Sequence, residues 1–384
     1  MKFPNVGKPH LEYKPWPAIR HKDLSEHKSI ISLIAQKDIL LHFPYQPFTH
    51  VIDLLREAAL DPKVTTVKIT IYRVAFNSSI MNALINASRN GKQVTAILEL
   101  QARFNEGSNI YWSKKLADEG VRVIFGVPGL KIHSKIILIR RKEDKKIVRY
   151  VAVGTGNFNE DTAKVFSDVL LLTTHQELAM EVERIFDFFR RNYQIPKFKH
   201  LIVSPFNSRT RLVRMINLEI KAAKEGKKAA ITFKLNNLVD HRIINKIYEA
   251  YIAGVEVRIM VRAMFSLLPK VKERKIDLEC MAIIDRYLEH SRIYYFYNGG
   301  EENLLISSAD LMNRNLDRRV EITCPIYDPE IKKQLIHTLD LEWQDNTQAR
   351  VLDNDLLNRY RVTSSKKKVQ AQKEIYTFIK ELHE

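Results

Sequence analysis

The chain has 384 residues, 45% of them hydrophobic and 28% charged, with only 12 Gly and 13 Pro. That excludes a disordered, collagenous or low-complexity protein and predicts two or three folded domains. Its 62 Lys and Arg against 45 Asp and Glu give a formal charge of +17, an excess that draws polyanions: nucleic acid, anionic lipid, nucleotides or inorganic polyphosphate.

Pro4, Pro9, Pro15 and Pro17 make an extended lead-in, and one helix is expected over 23–36. From Ile39 onward, apolar β-branched runs alternate with amphipathic stretches, the pattern of an α/β protein. Strands are expected at 64–72, 93–100, 121–125, 133–140, 148–153 and 168–172. Helices are expected near 48–59, 80–90 and 110–119, with a long one over 176–192. Pro196 and Pro205 break the pattern and place a domain boundary near residue 200. The order then repeats, with strands at 229–235, 255–261, 281–284, 293–297, 304–307 and 320–324 and helices near 209–224, 240–253 and 329–345. A charge-rich tail carries Lys366, Lys367 and Lys368 ahead of a last helix. The expected organisation is a lead-in over 1–40, domains over 41–200 and 201–345, and a tail over 346–384. Cys280 and Cys324 have no metal or redox spacing, no window approaches a membrane span, and the first residues lack a signal-peptide core, so a cytoplasmic protein is expected.

The two halves look like copies of one unit. Gly91-Lys92-Gln93-Val94 and Gly254-Val255-Glu256-Val257 each follow a helix and open a strand, 163 residues apart (254 − 91). Those strands lead to Arg103 and Arg262, 159 apart (262 − 103), and His133-Ser134-Lys135 matches His290-Ser291-Arg292 at 157 (290 − 133). Near-constant offsets argue for duplication.

Each half thus offers an imidazole and, two residues later, a cation that shares its face of a strand. The cation suits phosphate oxygens, while the imidazole attacks phosphorus or moves a proton. A small polar turn follows, Gly154 to Asn159 or Ser307 to Asp310, whose backbone N–H groups suit an oxyanion. A carboxylate opens the next strand of each half, Asp168 or Glu321, and suits the far nitrogen of the imidazole, fixing its tautomer.

The repeated histidine–base pair resembles the phospholipase D superfamily. That resemblance implies two tandem phospholipase D-like α/β domains, each a mixed β-sheet flanked by helices, with the histidines facing each other. Arg140 and Tyr297 stand where that superfamily carries an aspartate, which weakens phosphodiester hydrolysis or phosphatidyl transfer as the reaction. More specific strings, Thr70 to Ala75, Gln101 to Glu106, Gly129 to Lys135, Gly154 to Asn159, Lys234 to Asp240, Asp285 to Arg292 and Ser307 to Glu321, resemble the carboxyl-terminal catalytic half of the polyphosphate kinase family.

The resemblance implies reversible transfer of the ATP γ-phosphate to inorganic polyphosphate through a phosphohistidine at His133, with His290 as proton donor or acceptor. It places Lys135, Asn157, Phe166, Lys234, Arg262, Arg292 and Arg319 along the phosphate and nucleotide path. Phe166 replaces a tyrosine common in the family, so a hydroxyl is lost there while stacking survives. Asp168 and Glu321 would orient the histidines. Arg73 and Arg103 match the family's magnesium–phosphate positions; a guanidinium cannot ligate a cation, so their expected contacts are phosphate oxygens or water. Mg2+ is expected to arrive with ATP or ADP. The family also implies a homo-oligomer for the full-length protein, no specific nucleic-acid partner, and peripheral membrane association as an option. Because the resemblance covers only a catalytic half, weak or absent synthesis with retained polyanion binding is expected of this chain alone.

Overall fold

The computed structural model describes Tyr13, Lys14 and residues 16–24, 28–99 and 106–384. Arg103 and most of the proline-rich lead-in lie outside the described residues. The expected helix over 23–36 shrinks, among the described residues, to α1 (Ile30–Ile34), which starts where Ser29 Oγ accepts the Ser32 amide. Asp23, just upstream, instead pairs with Lys37 at 2.7 Å.

The first sheet is built from β1 (Ile39–Phe43), β2 (Val64–Ile71), β3 (Gln93–Leu98), β4 (Arg122–Phe125), β6 (Ile136–Glu143), β7 (Lys146–Gly154) and β8 (Phe166–Thr173). The short β5 (Lys131–Ile132) leaves it. Its order is β1-β8-β7-β6-β2-β3-β4. Helices α2 (Thr49–Leu60), α3 (Ser79–Arg89), α4 (Glu106–Asp118) and α5 (Gln176–Arg190) connect and flank it. The second half repeats the plan with β9 (Ile202–Ser204), α6 (Ser208–Lys224), β10 (Ala230–Leu235), α7 (His241–Ile252) and β11 (Glu256–Val261). A small hairpin, β12 (Lys270–Val271) and β13 (Ile276–Asp277), precedes β14 (Cys280–Ile283), β15 (Leu288–Glu289), β16 (Arg292–Phe296) and β17 (Asn303–Ser307). Then come α8 (Asn313–Asp317), β18 (Arg319–Pro325) and α9 (Pro329–Trp343). Its sheet runs β14-β11-β10-β16-β17-β18, with β9 on β18, so each strand finds a counterpart in the first sheet.

The register corrects one alignment. Ile71 pairs with Leu98 in the first sheet and Leu235 with Val261 in the second, so Arg262 corresponds to Glu99, not to Arg103. That restores the 163-residue offset of the glycines (262 − 99).

Period-two alternation explains the layers. On β7, Tyr150 and Ala152 join a core beneath α2 and α3, while Val151 and Val153 face a central core. On β16, Tyr294 and Phe296 join the core of α6 and α7, and Ile293 faces the centre, so this aromatic run is a packed strand. The central core draws on both sheets and on α5 and α9. On α5, Leu178, Val182, Ile185 and Phe189 recur at helical spacing and supply one of its faces.

The tail has no counterpart in the first half. It adds β19 (Ala349–Val351) to the edge of the second sheet against β14, then packs α10 (Ala371–His383) with Ile375 and Ile379 against Ile19, Tyr45 and Tyr287. Among the described residues, no helix is long and apolar enough to cross a membrane. Both cysteines are free and buried.

Candidate active site

The histidine motifs do not lie within strands, as expected from the sequence, but at crossovers between the two sheets. β5 leaves the first sheet and pairs in parallel with β18 of the second, Arg319 opposite Lys131 and Val320 opposite Ile132. The His133 amide donates to the Val320 carbonyl at 3.0 Å, and two residues later the Lys135 carbonyl accepts from Gly154 of the first sheet at 3.0 Å. The second motif mirrors this. β15 pairs in parallel with β8 of the first sheet, and the amides of His290 and Ser291 donate to the Ser167 carbonyl at 3.2 and 2.8 Å. Each motif is therefore anchored on both sheets through backbone hydrogen bonds that a buried chain must satisfy.

The exchange crosses the carboxylates. His133 Nδ1 lies 2.9 Å from Glu321, and His290 Nδ1 lies 2.8 Å from Asp168. The sequence order had put Asp168 with His133 and Glu321 with His290; the parallel strand pairings place each carboxylate beside the other half's histidine. Both polar turns do related work. Thr155 Oγ1 donates to Asp168 at 2.7 Å and Ser308 Oγ to Glu321 at 2.6 Å, and each hydroxyl also accepts the amide of the residue after its carboxylate. Asn315 donates to the other oxygen of Glu321 at 2.6 Å. Gly156 permits the approach on one side, since a Cβ there would come within 2.2 Å of an Asp168 oxygen.

Burial fixes the charge states. Each imidazole is 9% exposed, and burial pulls the pKa of His133 down to about 3 and of His290 to about 4, against the attraction of Glu321 and Asp168. Burial by itself would raise the two carboxylates, but their histidines and the nearby cations hold both below the ordinary range. The arrangement is a neutral imidazole whose Nδ1–H donates to a carboxylate, leaving Nε2 with a lone pair. Lys135 Nζ sits 2.9 Å from His133 Nδ1 and donates to the His133 carbonyl. Since Nδ1 already donates to Glu321, Lys135 is a neighbouring charge there, and burial, with Arg292 and Arg319 nearby, lowers its pKa well below the usual ammonium value.

The other expected residues divide. Arg292 donates to the His290 carbonyl at 2.8 Å, passes 3.3 Å from His290 Nε2, and is held by Asp310 at 3.3 Å. Asp310 also accepts the amides of Asn236 and Asn237, so this carboxylate, which the sequence reading left inside an oxyanion turn, anchors the base instead. Arg262 has its pKa lowered by burial and by Arg292, and its Nε is buried without a hydrogen-bond partner, as are Arg73 Nε and Asn157 Oδ1. Phe166 and Arg319 occupy the same place in the duplicated plan, two residues before the carboxylate. Phe166 lies 5.0 Å from the His290 ring, while Arg319 comes 3.8 Å from Glu321. This one duplicated position is thus aromatic beside His290 and cationic beside Glu321.

Lys234 departs from its expected place in a phosphate cradle. Its ammonium is buried between Glu289, at 2.7 Å, and Glu342, and those two charges raise its pKa despite burial. Such a cation is already neutralised.

Tyr72 went unassigned in the sequence. Its ring meets His133 edge-on at 4.9 Å, with Arg73, Lys131 and Lys135 within 5.4 to 5.8 Å of its centroid. Its position directly before Arg73, at a strand end, was the available signal. Among the described residues no group of three or more His, Cys, Asp or Glu is placed to hold a metal ion.

Two duplicated sheets that exchange histidine-bearing strands give the chain a phospholipase D-like fold. Phosphatidylserine synthase of Haemophilus influenzae has the same fold, with a TM-score of 0.55 at 15% identity over 84% of this chain and 89% of that one. Residues 29–195 match the family described as polyphosphate kinase C-terminal domain 1, and residues 201–372 match C-terminal domain 2. The chain belongs to the polyphosphate kinase family. It is 48% identical over 378 residues to the polyphosphate kinase of Vibrio vulnificus (strain YJ016), covering 98% of this chain and 54% of the relative. It is 45% identical to that of Escherichia coli K12, covering 100% of this chain and 56% of the relative. The polyphosphate kinase structure from Porphyromonas gingivalis superposes with a TM-score of 0.90 at 37% identity, over 99% of this chain and 58% of that one. The chain spans about half the length of the curated relatives it matches.

Proposed function

We propose that this chain carries the catalytic portion of an ATP:polyphosphate phosphotransferase. The observation that supports it most is the crossed pair of neutral, carboxylate-oriented imidazoles. In the forward direction the Nε2 lone pair of His133 attacks the γ-phosphorus, the N–P bond forms, and the bond to the β-phosphate bridging oxygen breaks, releasing ADP. A terminal oxygen of polyphosphate then attacks the phosphohistidine, and the N–P bond breaks. Glu321 stabilises the positive charge that develops on the His133 ring, as an orienting carboxylate does in general. His290, paired with Asp168, exchanges a proton with the leaving or entering oxygen. Arg73, Arg262, Arg292, Arg319 and Lys135 neutralise phosphate oxygens, and Arg103 joins them by analogy with the family. Asn157 supplies an amide to the same path. The exchange of Phe166 for Arg319 at the duplicated position suits an adenine against Phe166 and the transferred phosphate on the Arg319 side. Magnesium belongs to the substrate in this reading, carried on the nucleotide phosphates.

The two catalytic domains are placed at 41–200 and 201–345, followed by a tail over 346–384. Homo-oligomerisation, a cytoplasmic location and a peripheral membrane contact are features we assign to the full-length protein.

Incubation with γ-labelled ATP tests the reading: an acid-labile label on the wild-type chain that is absent from His133→Ala is expected. Release of a headgroup or nucleotide from a phosphodiester without ATP would replace the kinase by a diesterase. Salt-sensitive polyphosphate binding without label or ADP would leave a polyanion-binding fragment.

A further inference from the structure

A cavity of about 730 Å³ lies away from the histidines. It opens at the far ends of β2, β3 and β4, between the first sheet and α5. Lys68, Lys92, Arg122, Arg140 and Arg190 line it, against only Glu183 and Asp187. Both acids are occupied: Lys68 lies 3.8 and 3.6 Å from them, and Arg140 and Arg149 reach Glu183 at 3.7 and 2.5 Å. Lys92, Arg122 and Arg190 have no carboxylate within ion-pair distance among the described residues. Arg140 Nε is buried at this wall without a hydrogen-bond partner. Its nearest carboxylate, Glu183, stands 3.7 Å away, beyond hydrogen-bond distance, so the donor can still take an acceptor.

The duplication supplies an internal comparison. Thr66 and Gln93 are opposed in the first sheet, as Ala230 and Glu256 are in the second, and each pair lines a cavity at the same place in its half. The second cavity is about 220 Å³ and carries Glu256, Glu302 and Asp340 against Lys228 and Arg258, with Arg258 held by Glu256 at 2.8 Å and Asp340 at 2.9 Å. One copy of the plan is small and without excess cations, the other enlarged and basic.

We propose that the larger cavity is a second anion site, taking the end of a linear inorganic oligophosphate away from the histidine cleft. Several uncompensated cations in one recess favour a multiply charged chain over a single phosphate. A nucleotide is disfavoured because the one aromatic in the lining, Phe186, is 3% exposed and offers no face for a base. The assignment to polyphosphate rests on the phosphotransferase reading, whereas the anion site itself does not.

Titration calorimetry of the chain with inorganic tripolyphosphate at low salt tests this. Two classes of site are expected. Arg122→Glu/Arg190→Glu removes one of them, weakening it about tenfold or more, and leaves γ-phosphate labelling of His133 unchanged. Lys224→Glu/Lys228→Glu makes the same change in net charge elsewhere and is expected to leave both classes intact. Unaltered stoichiometry and affinity in the cavity variant, or an equal loss in the control, overturns the site. ATP binding there as tightly as tripolyphosphate overturns its assignment to polyphosphate. Failure of His133 to label while the cavity variant still loses tripolyphosphate sinks the phosphotransferase reading and keeps the anion site.

Discussion

At the level of single residues, the crossed pairing separates two carboxylates that are hard to tell apart in the sequence. Glu321 touches the histidine proposed to carry the phosphoryl group, and Asp168 touches the other. Glu321→Gln keeps the shape but removes the charge that steadies the ring as phosphorus binds. It is therefore expected to slow labelling of His133 by about 10²-fold or more. Asp168→Asn is expected to spare that first labelling and to slow net turnover. Rapid-quench measurement with γ-labelled ATP distinguishes the two variants; the opposite order of effects would mean that each carboxylate serves its own half. The nature of these residues was legible because histidine, base, turn and carboxylate recur in order. Their pairing was not, because both within-half and between-half pairings preserve that order and only the strand exchange decides.

At the level of elements, the unexpected device is the tail helix. Gln372 on α10 is buried and clamps β15, accepting the Tyr287 amide at 2.9 Å and donating to the Tyr287 carbonyl at 2.8 Å and to Glu289 at 2.6 Å. Glu289 in turn holds Lys234, which also binds Glu342 of α9, where burial keeps the Glu342 pKa up at about 7. Since Glu289 directly precedes His290, this network sets where the second histidine stands. Gln372→Leu leaves Glu289 and the Tyr287 backbone short of partners, at about 1–3 kcal/mol for each unsatisfied group. We expect a lower unfolding midpoint together with turnover reduced more than His133 labelling; equal loss of both would mark a purely structural role, while Gln372→Glu should not rescue because it sets a second carboxylate against Glu289. The existence of α10 was readable from its periodicity. Its function was not, since a glutamine in an amphipathic helix looks like any solvated residue until its partners are known. The same holds for Lys234, whose place beside a resembling motif suggested a phosphate ligand while its two carboxylate partners lie 55 and 108 residues away.

Across the whole molecule, the duplicated α/β plan was legible in outline, because buried strands are written as apolar runs and flanking helices as amphipathic ones, although the outer strands β1, β9 and β19 were not assigned. The short exchange strands β5 and β15 were not, since two residues carry no periodicity. The central core they help to close makes one folded body of two halves, and that body keeps an unusual set of histidines neutral. Burial is the largest cause in each case, lowering His21, His42 and His133 to about 3 and His290 and His383 to about 4. The folded-state values lie below the unfolded value near 6.5. As pH falls below about 6.5 the unfolded chain therefore takes up protons that the folded chain refuses, and stability is lost until the folded histidines also titrate near pH 3–4. Each such histidine steepens the fall by up to about 1.4 kcal/mol per pH unit in that window. Asp168 and Glu321, held low, withdraw their own contribution only at the acid end of the same range. The expected outcome is a urea midpoint distinctly lower at pH 5 than at pH 7.5. His42, whose Nε2 is buried without a partner and which lies outside the proposed machinery, isolates the cause. His42→Gln is expected to shrink the difference between the two pH values while His133 still takes up label, and a midpoint indifferent to pH in the wild-type chain would show that these rings do not stay neutral on folding.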